Sequence, residues 1–145
     1  MKYLLLLLLL LLFVFSCSPN ADKKECRIVY RIGYNFIKLS INDDGNTTAF
    51  IGESNDLEND RFRVDTIIDS ARFFLKTSGD FFKKLQSINV KKVEEGKGYS
   101  RMQIFLNDSL YYDTRTYSPE FWKLYSIISD DIPNEYNPFK TKRFE

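Results

Sequence analysis

Chemistry in this chain is limited first by what it lacks. Its 145 residues include two cysteines and no histidine, which excludes Ser-His-Asp and Cys-His hydrolysis, His-containing zinc sites and an imidazole proton shuttle. Cys17 and Cys26 are too few for a thiolate metal cluster. Paired carboxylates can still run glycoside hydrolysis, and Ser-Lys catalysis needs no imidazole. The acidic residues, however, fall mostly in turns, helix caps and loops, where local roles account for them. No G-x-S-x-G, P-loop or G-x-G-x-x-G motif is present. Asn42-Asp43-Asp44-Gly45-Asn46 offers the oxygens calcium prefers but lacks the spacing and distant bidentate Glu of an EF-hand loop, so it reads as a turn. The expectation is a domain with no catalytic residue, no metal site and no cofactor.

One constellation has the residue types of a recognition surface. Tyr111, Asp113 and Arg115 alternate along one strand pattern, opposite Leu110 and Tyr112, with Phe105 and Gln103 as expected neighbours on the preceding strand. Aromatic and arginine side chains are enriched where binding energy concentrates. The competing reading is an ordinary amphipathic outer face, or a face that a helix covers.

The remaining chemistry belongs to the N-terminal stretch. Lys2, the apolar run Tyr3 to Phe15 and the small Ser16 have the order of a secretory signal. The run is too short to span a bilayer core, which takes roughly 20 helical residues. Val14-Phe15-Ser16-Cys17 resembles the lipobox of bacterial lipoproteins, looser at Phe15 than the strictest form. The resemblance implies cleavage before Cys17, diacylglycerol on its thiol and an acyl chain on its amine. Two or three long chains would hold the protein to a membrane essentially for good, since each buried methylene contributes about 0.8 kcal/mol. Leader and overall pattern together resemble small Bacteroidota-type lipoproteins, which implies a Gram-negative cell envelope and, with Ser18 after the cysteine, the outer membrane. The open alternative is cleavage near Ala21, leaving Cys17 free to pair with Cys26. If Cys17 carries lipid, Cys26 is the only thiol left and reads as a small buried hydrophobe.

The organisation is therefore residues 1–16 as a removed signal peptide, 17–25 as lipidated cysteine and tether, and 26–145 as one domain. The tether from Ser18 to Glu25 reaches at most roughly 26 Å. With Lys2 gone, basic and acidic side chains balance, so the basic excess of a nucleic-acid binder is missing.

Strands are expected at Ile28–Tyr34 and Phe36–Asn42, where Ile37, Leu39 and Ile41 alternate with polar residues. Another follows the Asp43–Asn46 turn over Thr47–Gly52. Phe62 to Ile68 reads as a strand, and Ala71–Lys76 either pairs with it across Asp69-Ser70 or begins a helix at Phe73-Phe74-Leu75. Ser78 looks like the N-cap of a helix bearing Phe81, Leu85 and Ile88 on one face. Lys91 to Gly98 is a link, and Met102–Leu106 and Leu110–Thr114 form a strand pair turning at Asn107–Ser109. Ser118, with Pro119 at the first helical position, caps a second helix whose stripe is Phe121, Leu124, Tyr125 and Ile128. Asn134 to Glu145 reads as an extended tail docked through Tyr136 and Phe139. Ser78–Ile88 and Ser118–Ile128 align without gaps, and each follows a strand pair, which suggests a repeated unit.

These elements define the expected fold: α+β, an antiparallel sheet built from β-hairpins with two amphipathic helices packed on one face. The expected role is a non-catalytic binding or structural module, lipid-anchored in the membrane and meeting a protein partner in the envelope. The alternatives are an inhibitor or immunity protein against a toxin or hydrolase, and a carboxylate-dependent hydrolase of envelope glycans.

Overall fold

Alternation of apolar and polar residues along the strands decides the architecture. A computed structural model describes residues 24–54, 66–88, 92–94, 100–115 and 118–141. The leader, Cys17, the tether before Lys24, Phe62, Val64 and Gly96–Gly98 lie outside the described residues.

The chain forms β1 (Glu25–Ile32), β2 (Asn35–Asn42), β3 (Asn46–Glu53) and β4 (Thr66–Phe74), then α1 (Ser78–Ser87). It continues with β5 (Lys92–Glu94), β6 (Ser100–Leu106), β7 (Ser109–Thr114), α2 (Pro119–Tyr125) and a 3-10 turn at Asn134–Tyr136. The strands make one sheet in the order β4-β3-β2-β1-β6-β7-β5. All neighbours pair antiparallel except β5, which runs parallel to β7. The domain is thus α+β, a mainly antiparallel sheet with two helices. Lys92–Glu94, expected inside a link, instead extends the sheet at one edge.

Register makes the sheet two-faced. Cys26 lies opposite Ile41, Ile28 opposite both Leu39 and Ile104, and Leu39 opposite Ala49. These residues join Phe81, Phe82 and Leu85 of α1 and Phe121, Leu124 and Tyr125 of α2 in a single buried cluster. Each fully buried Ile, Leu or Phe stabilises by about 1.5–3 kcal/mol. The exposed Lys83, Lys84 and Gln86 take the wet side of α1, as its pattern requires.

Two register shifts modify the expected strands. A bulge between Ile51 and Gly52 places Gly52 opposite Ile67 and Ile51 opposite Asp69. Thr66–Phe74 therefore runs straight through Asp69-Ser70, where a turn was expected. Asp69 Oδ1 accepts the Ser70 N–H at 2.8 Å, so the polar pair satisfies itself inside an extended strand rather than reversing it. The second shift sets Ile104 opposite Tyr112 but Phe105 opposite Leu110, leaving Tyr111 as the extra residue. Asn107 and Asp108, with φ of 46° and 64°, form the tight turn that joins β6 to β7.

The helix starts differ from one another. Ser118 caps α2 as expected, its Oγ accepting from the Phe121 N–H at 3.4 Å. Ser78 is inside α1, and the capping position is Thr77. The Thr77 N–H and hydroxyl both donate to Asp131 Oδ2, each at 3.0 Å, so a carboxylate from beyond α2 supplies the anchor. The parallel between the two aligned segments stops at this point. α2 ends at Tyr125, although Ile128 and Ile132 continue its buried stripe through turns.

The described part of the C-terminal segment, up to Thr141, is folded rather than extended. Asn137, fully buried, donates to Ser129 O at 2.9 Å and accepts from the Tyr125 hydroxyl at 3.2 Å. Phe139 packs edge-on to Tyr125 and Trp122 at 5.0 and 5.1 Å between ring centres. Tyr136 and Phe139 are thus docking points, as the sequence suggested. Asp131→Ala is expected to cost about 1 kcal/mol, and Ser78→Ala less, in urea unfolding followed by far-UV circular dichroism.

Candidate functional site

The sheet face that turns away from the core cluster carries the reactive side chains. Register places them in rows. Arg72, Thr48, Ser40, Arg27 and Phe105 are successive cross-strand partners in one row. Phe50, Lys38, Val29, Gln103 and Asp113 form the next. Phe36, Arg31 and Arg101 follow beyond it. Positive charge therefore concentrates on this face although the chain as a whole is nearly neutral at +1.

One end of the face is buried and polar. Arg31 lies directly across from Arg101, a like-charge pairing that costs energy unless its neighbours compensate. They do so through a chain of donors and acceptors. Arg31 donates to Gln103 Oε1 at 3.4 Å, and Gln103 Nε2 donates to Asp113 Oδ2 at 3.2 Å. Arg101 grips Asp113 with two groups, Nε to Oδ1 at 2.8 Å and a second nitrogen to Oδ2. The Arg101 and Asp113 side chains are only 10% and 6% exposed, so water screens this bidentate pair little. Its geometry is that of a buried structural network.

The neighbouring part of the face is half-open and pairs cations with rings. The Arg27 guanidinium stands 5.2 Å above the Phe105 ring and binds Asp108. Lys38 Nζ stands 5.0 Å above the Phe50 ring. Burial and the nearby Arg27 charge push the Lys38 ammonium below its ordinary range, which marks these two cations as electrostatic neighbours.

The four residues expected to share a recognition surface are separated. Tyr111, the bulged residue, sends its hydroxyl to the Leu85 and Ile88 carbonyls at the end of α1 and packs against the core. The extra residue in β7 also turns Leu110 away from Tyr112 and opposite Phe105. Asp113 is consumed by Arg101 and Gln103. Arg115 is exposed beyond the last strand residue, and Phe105 alone sits in the half-open region. Arg27 and Lys38, missed in the sequence, are brought to Phe105 and Phe50 only by strand pairing.

Cys26 is fully buried in the core and free. Burial, with Glu25 nearby, pushes its thiol well above the ordinary cysteine range, so it stays protonated and inert. Among the described residues no group of three or more acidic or thiol side chains is placed to hold a metal, and no helix is long and apolar enough to cross a membrane. No family model, curated protein or solved structure matches this chain.

Asp113→Ala takes from the buried Arg101 guanidinium its two carboxylate contacts and should cost about 1.5–3 kcal/mol. Tyr111→Phe, which removes only a hydroxyl, should cost about 0.5–1.5 kcal/mol; equilibrium denaturation of both variants checks the order. Thiol titration at a pH of about 8 should find Cys26 silent in the native protein and reactive after unfolding.

Proposed function

We propose that this chain is a lipid-anchored protein of a Gram-negative cell envelope, held at the outer membrane through Cys17, whose domain binds an acidic protein surface and catalyses no reaction. The anchor rests on the leader and on Val14-Phe15-Ser16-Cys17. The binding role rests on one observation above the others: Arg27 over Phe105 and Lys38 over Phe50, adjacent on a half-open sheet face. Such pairs present cations that are held by rings and already partly desolvated, and the Asp108 carboxylate that Arg27 also binds is 88% exposed, so an acidic surface can take its place with less hydration lost.

The fold supports this division of labour. Residues of both helices share the buried cluster with Ile28, Leu39 and Ile104, while Arg27, Lys38, Phe50 and Phe105 on the opposite face are only half-buried. The carboxylates nearest that face, Asp113 and Asp108, are engaged by Arg101 and Arg27, which favours binding over carboxylate catalysis.

Cys17→Ala should move the protein from the membrane to the soluble fraction on cell fractionation; continued membrane association would remove the anchor from the proposal. Full-length protein should co-purify from detergent-solubilised envelopes with a partner that the double variant Arg27→Glu, Lys38→Glu fails to retain. Equal recovery by the variant would count against this face.

A further inference from the structure

A second feature of the same sheet face has a different chemistry. Beyond the row that ends at Arg72, a groove of about 510 Å³ opens at the β2–β3 turn, with Asn42, Asn46, Thr48, Arg72 and Phe74 in its lining. Arg72 lies directly opposite Thr48, and Phe74 directly opposite Asn46. Partners across strands are about 4.8 Å apart and alternate residues along a strand about 6.6 Å. The four side chains therefore mark the corners of a patch the size of one sugar ring, and Asn42 adds a fifth group beside it.

None of the polar groups is spent. Among the described residues, the side chains of Asn42, Asn46, Thr48 and Arg72 make no hydrogen bond or ion pair. This contrasts with Arg27, Arg101 and Asp113 on the same face, all of which are engaged. Two amides, one hydroxyl and one guanidinium thus converge with free donors and acceptors, as a site for a polyhydroxylated ligand requires.

The ring beside them is held in place from below. Phe74 is 57% exposed, yet a Cβ on Gly45 would come within 2.8 Å of its ring and 2.7 Å of the Leu75 carbonyl. The phenyl therefore rests on the bare Cα of Gly45, a residue whose φ of +90° also suits glycine. Leu75 N–H donates to Gly45 O at 2.9 Å, which locks the end of β4 to the turn. The tip of the ring is held against the turn while more than half of the residue stays open to solvent, which leaves ring surface for stacking.

We infer that this groove binds an acidic saccharide: the C–H face of a sugar ring stacks on Phe74, the hydroxyls meet Asn42, Asn46 and Thr48, and the carboxylate or phosphate of the sugar takes the fork of Arg72. A planar guanidinium with its donors free matches an oxyanion with two equivalent oxygens. The amides, which both donate and accept, match vicinal hydroxyls. The inference goes beyond the proposed function and depends neither on the lipid at Cys17 nor on the partner of Arg27 and Lys38.

The test is an array of acidic and neutral oligosaccharides probed with the full chain in detergent, followed by calorimetric titration of trigalacturonate, neutral galactotriose and inorganic phosphate. Acidic glycans should be retained over their neutral counterparts. Arg72→Ala and Phe74→Ala should each weaken the strongest acidic binder at least tenfold, while Lys123→Ala, on the exposed side of α2, should leave it unchanged. Both substituted groups are exposed, so unchanged circular dichroism and melting temperature are expected. Retention of no acidic glycan would overturn the inference. Phosphate bound as tightly as any saccharide, with Phe74→Ala without effect, would reduce the groove to a simple anion site and overturn it too. Binding of neutral and acidic sugars alike would leave Arg72 without its role and overturn the inference as well.

Discussion

The structure depends on the double pairing of β1. Cys26, Ile28 and Tyr30 alternate with Arg27, Val29 and Arg31, and this strand is hydrogen-bonded to β2 on one side and β6 on the other. Because side chains alternate with a period of two, a slip of one residue would carry three basic or polar-face positions into the core and the core residues out. Both neighbours must then agree on the same choice. They do: Ile28 meets Leu39 and Ile104, while Val29 meets Lys38 and Gln103. Phe81, Leu85, Phe121 and Tyr125 of the helices join the same buried cluster as Ile28, Leu39 and Ile104, so they depend on this decision too.

The same constraint explains what the sequence made legible. Ile37, Leu39 and Ile41 alternate within one strand, and Asp43-Asp44-Gly45 follows at once, so β2, the turn and β3 depend on neighbours a few positions away. Ser118 and Pro119 likewise announce α2 locally. The start of α1 was hidden because its anchor, Asp131, is supplied 54 positions from Thr77. The bulges at Ile68 and Tyr111 were hidden for another reason. One extra residue in an otherwise alternating run looks the same as no extra residue, and only the partner strand counts it. That single count moved Tyr111 from an imagined surface to the end of α1. Asp69-Ser70 looked like a turn because those residue types favour turns; in the sheet, pairing with β3 outweighs the preference.

The cationic face illustrates the difference between composition and arrangement. A charge balance near zero hides the fact that Arg27, Arg31, Lys38, Arg72 and Arg101 share one side of the sheet. Arg31 reaches Gln103 across 72 positions of sequence, a distance at which no spacing rule operates. Burial then sorts these cations into roles. Where the face is closed, Arg101 needs Asp113, since an unpaired buried charge is costly. Where it is half-open, Arg27 and Lys38 lie over Phe105 and Phe50, and Arg27 also holds the exposed Asp108. Where it is fully open, Arg72 has no partner among the described residues. Each step outward along the face leaves more of the side chain's bonding capacity for something other than the protein itself.

That gradient runs toward the end of the domain where the chain enters. Glu25 begins β1 opposite Asn42, and the Asp43 N–H donates to Lys24 O at 3.0 Å. On the other side, the Asn107 N–H donates to Glu25 O at 2.9 Å. The entry point is therefore clamped between the turn that carries Gly45 and the turn that joins β6 to β7. A tether attached there pulls on the strand that both halves of the sheet share, and the load passes into the ladders rather than into a loose end. With Cys17 lipidated as proposed, the contour length from Ser18 to Glu25 keeps this end within roughly 26 Å of the acyl chains. The side chains with unspent donors, Asn42 first among them, then lie at the membrane-proximal end of the domain. A lipid anchor and a groove for acidic sugars are separate proposals, but the position of Glu25 beside Asn42 makes them geometrically compatible. The ligand that such a groove would meet first is one displayed at the surface to which the chain is tied.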